Sequence, residues 1–540
     1  MTFITGFLAA NSNENSKEYQ SLVTQFLAAC PRARGHDDIG ILTRQSCTLA
    51  ARARRTRDLS LDGAQPAQDA QGRMTVILDG YIANADSLRH ALEAEDQHLR
   101  GRADAELVAM GAAHWGLNRL LQKLEGAFVF ALWDDENKTL HLVRDRMGLR
   151  PLYWTRHRDM VAFASDYRAF AALPDFVPVH DPAALADYLA WGHIAAPRAP
   201  WKGVYTLPPA HRLMLADSGT DTQPESYWSA ARALEEIALR DTPATQPERL
   251  NAECVQGAIA LDVPFGLIGD STPAGGRLHA TLSAMSERPF LARTLAAPDG
   301  VLLQTAFDAL AALPEPVCDP AAPAWWAALQ AIPADTPVCL AATPLSRPID
   351  EDARARRLRR MLARIPRLLH PLLPQSWRAR AEPAGTACVA SARIWPQFGE
   401  TPDLPEPRLD LSPARTRAYY GFLHDACGGY FAALDRIANA ADVELRLPLA
   451  DTRMLEHGFP ARIESAPADI VTWMRGPLRP RIAALLDADA LARAGLPDPA
   501  PFHAAWLAFL GGDDAQAHAL WTLATLLAWI QKNVAPNQVA

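Results

Sequence analysis

Glycine is scarce in this chain, with 30 glycines against 43 prolines, the reverse of the usual order. Few positions can therefore bring backbone N–H groups close around a phosphate, which weighs against glycine-rich nucleotide cradles. Paired cysteines are missing too. The seven cysteines (Cys30, Cys47, Cys254, Cys318, Cys339, Cys388 and Cys427) include no Cys-x-x-Cys pair. Neither a structural zinc site nor a disulfide framework is expected, and a reducing compartment fits. Positive charge is not in excess: 53 Lys and Arg face 61 Asp and Glu, a net charge of −8 that offers no general field for nucleic acid or an anionic membrane. Nor is there a long hydrophobic run. The apolar opening from Met1 to Ala10 lacks a basic flank and reads as a first strand rather than a signal peptide. The stretch from Leu520 to Ile530 is too short to cross a bilayer. A cytoplasmic protein with no nucleic-acid or membrane partner is the expectation.

What is present is ample globular chain. Its 540 residues, 49% hydrophobic and 21% charged, suffice for two to four domains of roughly 100–200 residues and argue against disorder or a coiled coil. The first 210 or so residues are β-prone. Thr75–Leu78, Gly126–Trp133, Leu140–Val143, Leu152–Trp154 and Val161–Ala164 are short runs separated by turn clusters such as Asp134–Lys138, which predicts packed antiparallel sheets. From about Thr242 onward Ala, Leu and Arg dominate with helical periodicity, as in Leu358–Ile365 and Leu520–Ile530. Two strand-like runs, Val263–Ile268 and Pro337–Leu340, interrupt it, which suits helices around a few buried parallel strands. This division predicts a domain over 1–210, a linker over 211–245 and a second domain over 246–540.

Several strings carry a resemblance. Arg34-Gly-His-Asp-Asp38, Asp79-Gly-Tyr-Ile-Ala-Asn84, Leu124 to Asp134 and Arg144-Asp-Arg-Met-Gly-Leu-Arg-Pro-Leu-Tyr153 look like the class II glutamine amidotransferase domain of glutamine-hydrolysing asparagine synthetases. Leu207 to His211, Tyr227-Trp228, Asp262 to Gly266, Glu315 to Pro320, Asp435-Arg436 and Glu444 to Asp451 resemble the ATP-pyrophosphatase synthetase domain of the same proteins. The resemblance implies an α/β protein. An α+β N-terminal αββα sandwich of N-terminal-nucleophile type would be followed by a helix-rich α/β domain that adenylates a carboxylate. The β-lactam synthetase and lasso-peptide cyclase branches of the family use only the second chemistry.

At the positions that the resemblance makes functional, this sequence departs from the family. The nucleophilic cysteine is Thr2, so an N-terminal thiol with its own α-amine as base is replaced by a hydroxyl. The oxyanion position holds Asp79 beside Gly80, a carboxylate where negative charge would develop. Tyr81 stands for the substrate-holding Glu, and Ala53, flanked by Arg52 and Arg54, for the Arg that grips the glutamine carboxylate. Asp104 matches the acidic residue that holds the glutamine amine. In the second domain the SGGxDS loop becomes Asp270, Ser271 and Thr272, with Pro273 next and Ala274 and Gly275 in place of Asp-Ser. The second magnesium motif has no carboxylate in Ala341 to Pro348, and Arg475 replaces a catalytic Lys, which an Arg cannot match as a base.

The expected function is an asparagine-synthetase-like protein with impaired glutaminase and ATP sites, retained as a binding or regulatory subunit. No metal and no cofactor are expected. A protein or peptide partner (an intact synthetase, a precursor peptide or a modifying enzyme) and a dimer are further expectations. The alternative is a divergent ATP- and Mg-dependent amide-forming ligase or cyclase. Among isolated candidates, His36 reads as a turn residue and the basic run Arg354 to Arg360 as a solvated helix face. Trp325-Trp326, Trp521 and Trp529 read as core or interface side chains.

Overall fold

The computed structural model describes residues 2–9, 16–29, 38–44, 46–216, 223–239, 247–269, 273–342, 429–457, 469–493 and 500–533. Asp270, Ser271, Thr272, Pro344, Arg347, His36 and the basic run Arg354 to Arg360 lie outside them.

The β-prone runs form two six-stranded sheets. In chain order the strands are β1 (Phe3–Ala9), β2 (Asp38–Arg44), β3 (Cys47–Ala53), β4 (Ala67–Gln68), β5 (Met74–Ile82), β6 (Gly126–Asp134), β7 (Thr139–Arg144), β8 (Tyr153–His157), β9 (Met160–Ala164), β10 (Val204–Thr206), β11 (His211–Ala216) and β12 (Glu225–Ser226). One sheet runs β10-β8-β9-β1-β3-β2 and the other β12-β11-β7-β6-β5-β4, every pair antiparallel. Alternation along β1 shows how the layers arise. Phe3, Phe7 and Ala9 pack against Leu22, Val23 and Phe26 of helix α1 (Ser16–Ala29), while Ile4 and Leu8 face Ile77, Val129 and Ala131 of the other sheet. The far face of that second sheet, with Val76, Leu78, Phe128 and Phe130, is covered by Leu107 and Val108 of α3 (Asp104–Trp115), which follows α2 (Ala85–Glu93). Helix, sheet, sheet and helix make the four-layer αββα sandwich.

The stretch expected as a linker from residue 211 departs from that expectation. β11 pairs with β7 over five residues and β12 extends the same sheet. The alternation Leu213, Met214, Leu215 buries the two leucines and exposes the Met, a short amphipathic strand within a polar region.

Beyond it, β13 (Phe265–Gly269), β14 (Leu291–Thr294), β15 (Val338–Ala341) and β16 (Glu444–Arg446) form a parallel sheet in the order β14-β13-β15-β16. The central strands are nearly unbroken apolar runs, as expected where helices cover both faces. Their core takes in α7 (Pro247–Ile259), α8 (Pro273–Met285), α10 (Ala322–Gln330) and α11 (Phe431–Ala440). Here α7 follows α4 (Leu117–Lys123), α5 (Pro182–Trp191) and α6 (Ala230–Leu239). A separate helical core joins α5 to α9 (Gly300–Leu310), α12 (Ile470–Arg475), α13 (Arg479–Leu485), α14 (Ala488–Arg493), α15 (Ala500–Leu510) and α16 (Ala517–Asn533). Trp521 and Trp529 are buried at its centre, and Trp325 is buried in the core of the parallel sheet, so these indoles are packing residues. Among the described residues no helix is long and apolar enough to cross a membrane.

Candidate functional site

The positions read as a glutamine pocket lie on β1, β5 and the start of α3. Thr2 precedes β1, and its Oγ1 accepts the backbone N–H of Arg54 at 3.4 Å. Asp79, Gly80 and Tyr81 lie in β5 opposite Val129, Phe128 and Ala127. Gly80 has φ +111°, and a Cβ there would fall 2.0 Å from the Ala127 carbonyl oxygen, so only glycine fits. Burial pushes the Asp79 carboxyl up to about 7, partly opposed by Arg150 and reinforced by Asp435.

Asp104 has a partner within the protein. Its Oδ1 is 2.5 Å from Arg57 Nη1 and its Oδ2 accepts the Ile82 N–H at 3.0 Å. Arg57 then spans outward: Nε donates to Ala260 O at 3.0 Å and Nη2 to Gly257 O at 3.2 Å, both at the C-terminal end of α7. Gly257 lies so near the loop after β5 that a Cβ would meet Ala83 O at 2.1 Å. Tyr81 and Ala83 of the string Asp79 to Asn84 thus pack with a helix of the second domain. Tyr81 is covered as well, with the Arg446 guanidinium 4.3 Å above its ring. The three residues considered for gripping a substrate carboxylate are placed differently: Ala53 is buried at the end of β3, Arg52 lies over the Phe3 ring at 5.9 Å, and Arg54 pairs with Asp442 at 2.8 Å.

The loop from Asp145 to Arg150 is built by its own side chains. Arg144 donates to the carbonyls of Gly148, Arg150 and Leu207, and Asp145 accepts the N–H groups of Met147, Leu149 and Arg150. The loop presents Arg150, which bonds Asp435 on α11. Nearby, Arg446 donates to Glu444 Oε1 at 2.7 Å, Ala258 O at 2.9 Å and Thr56 Oγ1 at 3.2 Å. Glu315 joins Arg436 at 3.2 Å and accepts the Tyr153 hydroxyl at 2.5 Å. Charged groups from both domains are therefore paired across a buried seam.

In the second domain β13 ends at Gly269 and α8 begins at Pro273, so the nucleotide-loop positions fall between a parallel strand and a helix. Ala274 is in the first turn of that helix. Arg475 is engaged elsewhere: its guanidinium donates to Phe509 O at 2.7 Å, pairs with Asp514 at 2.5 Å and stacks over the Phe509 ring at 4.5 Å. It caps the C-terminal end of α15.

Sequence reasoning missed Arg57 and Gly257. Arg57 is one of several arginines between Arg52 and Arg57, and nothing local distinguishes it. Gly257 lies within an amphipathic helix, where a lone glycine costing about 1 kcal/mol was a signal of close packing.

The four layers, with the first strand inside one sheet, make an αββα sandwich. Residues 1–228 match the family model described as "Glutamine amidotransferase domain". The chain is similar to asparagine synthetase [glutamine-hydrolyzing] 3 of Bacillus subtilis, 27% identical over 191 residues, 35% of this chain and 30% of that protein. It is also similar to Amidase chry2 of Gibberella zeae, 30% identical over 235 residues, 41% and 33% of the two chains. The matches thus span about a third of those relatives' lengths. A solved structure of glutamine phosphoribosylpyrophosphate amidotransferase from B. subtilis aligns over 64% of this chain and 83% of its own at 12% identity and a TM-score of 0.32. Residues 1–228 thus resemble a glutamine amidotransferase domain, and over that part the chain is similar to asparagine synthetases and amidases at modest identity.

Proposed function

We propose that this protein does not hydrolyse glutamine and acts as a binding or regulatory subunit of a biosynthetic system. The observation that carries this reading is the Arg57–Asp104 ion pair. It occupies the acidic residue that would hold the glutamine amine and ties it to α7 of the second domain. Tyr81 under Arg446 and a carboxyl at Asp79 support it, because an oxyanion needs donors fixed before charge develops. The second reading, an ATP-dependent amide-forming ligase, is favoured by one feature: the strand–loop–helix from Phe265 to Met285 in a parallel sheet.

One preparation tests both. Incubated with L-glutamine, the protein is expected to release no ammonia above a Thr2→Ala control; release that disappears in the control overturns the reading. Titrated with Mg-ATP in a calorimeter, it is expected to give no heat of binding. Magnesium-dependent binding abolished by Asp270→Ala or Ser271→Ala would replace the first reading with the second.

A further inference from the structure

Three carboxyls and two guanidiniums are buried together where the domains meet: Asp79 on β5, Arg150 before β8, Asp435 on α11, and Glu444 and Arg446 on β16. Two of the carboxyls have an arginine of their own. Arg150 bonds Asp435, and Arg446 bonds Glu444. Asp79 has none: no ion pair or hydrogen bond joins its carboxyl to another described residue. The other charges beside the Arg150–Asp435 pair are Arg436, next to Asp435 on α11, and Asp145, which accepts the Arg150 N–H. A buried carboxylate without a partner is costly enough that the group tends to keep its proton.

We infer that this cluster is a proton-sensitive latch between the two domains, tightest when Asp79 is protonated. Ionised Asp79 attracts Arg150, the guanidinium that also feels Asp435 and Glu444, and so competes with the contact that reaches α11. Protonated, it leaves Arg150 to Asp435. The proton lost on opening goes to solvent; Asp145, which accepts the Arg150 N–H and is pushed up to about 6 by burial, titrates in the same window, so the Asp79→Asn comparison isolates the Asp79 share.

The direction of the linkage follows from the surroundings. Burial pushes Asp79 up to about 7 and raises Asp435 against the pull of Arg150 and Arg436. Glu444, although buried, is held below the usual carboxylate range by Arg446 and Arg150 and stays ionised. An unfolded Asp loses its proton near pH 4, roughly its ordinary value. Between about 4 and 7 the native state therefore holds a proton that the unfolded chain has released, and stability falls as pH rises through that window.

The test follows hydrogen exchange in the full-length chain at pH 6 and pH 8, with rates corrected for their intrinsic pH dependence. Residues 79–84 and 250–259, the two sides of the seam, are expected to be several-fold better protected at pH 6. Equal corrected protection overturns the latch, and this arm needs no variant. In parallel, Asp79→Asn, which is neutral at every pH, is expected to melt above the wild type at pH 8, on the order of 2–4 °C, with the gap closing toward pH 5. Melting curves whose pH dependence runs parallel in the two proteins would reject the assignment to Asp79.

Discussion

Arg57 and Arg158 each meet one aspartate, but their surroundings set the energies far apart. The Arg57–Asp104 pair is sealed, with side chains 5% and 8% exposed, whereas Arg158 and Asp175 are 54% and 79% exposed. Removing one member of a buried pair leaves a charge without water or partner, at a cost of about 3–5 kcal/mol, whereas exposed pairs are worth about 0–1 kcal/mol. Arg57→Ala leaves Asp104 with Arg89 at 4.0 Å and the Ile82 N–H, so it is expected to lower unfolding stability by at most roughly 3–5 kcal/mol, and Arg158→Ala by less than about 1 kcal/mol, read from urea titrations. Similar losses for both would mean that the seam is hydrated. At this scale the sequence was legible in part. The close strand approach at Gly80 was legible, because glycine at φ +111° must be written into the chain. The role of Asp104 was not legible, since its partner is 47 residues away along the chain.

At the scale of elements, α7 is the piece that brings the second domain onto the sandwich. Its amphipathic spacing buries Cys254, Val255 and Ala258 in the core of the parallel sheet, and Gly257 lets the same helix touch the Ala83 carbonyl. In an exposed helix, Gly→Ala would gain about 1 kcal/mol. Here the added methyl has no room, and overpacking costs about 1–3 kcal/mol. Gly257→Ala is expected to be net destabilising and to raise protease sensitivity near residues 83–85 without changing helix content by circular dichroism. A gain in stability would mean that α7 does not press on that loop. The strands of the sandwich were readable because period-two alternation and aromatic runs are local signals. β11 and β16 were harder. Each is short, and each takes its strand character from a neighbour, β7 in one case and β15 in the other.

For the whole molecule, both domain cores meet the same charged seam. Arg150 with Asp435, Arg54 with Asp442, and Tyr153 with Glu315 each span from the sandwich to the second domain. Helix α5, inside the first 210 residues, joins the C-terminal helical core, and Tyr188 shares a hydrogen bond of 2.8 Å with Thr525. Opening the seam would strand buried charge on both sides, so the domains are expected to unfold together. Calorimetry should give one transition with calorimetric and van't Hoff enthalpies in agreement, and two resolved transitions would contradict it. The αββα class and the parallel sheet were readable from motif order. Their mutual grip was not, because a contact between residues 150 and 435 leaves no periodic trace.

The pairing across the seam also bears on how such proteins can be recombined. A chimera that takes residues 1–228 from this chain and the remainder from a relative inherits Arg54, Arg57 and Arg150 without a guarantee of Asp442, the α7 carbonyls at their present spacing, or Asp435. Arg54 and Arg150 would then be carried into a dry contact without their carboxylates, while Arg57 would keep Asp104 but lose the carbonyl acceptors of Nε and Nη2. Exchangeable parts of this protein are therefore sets of charge partners, and a crossover succeeds only where it leaves each set on one side.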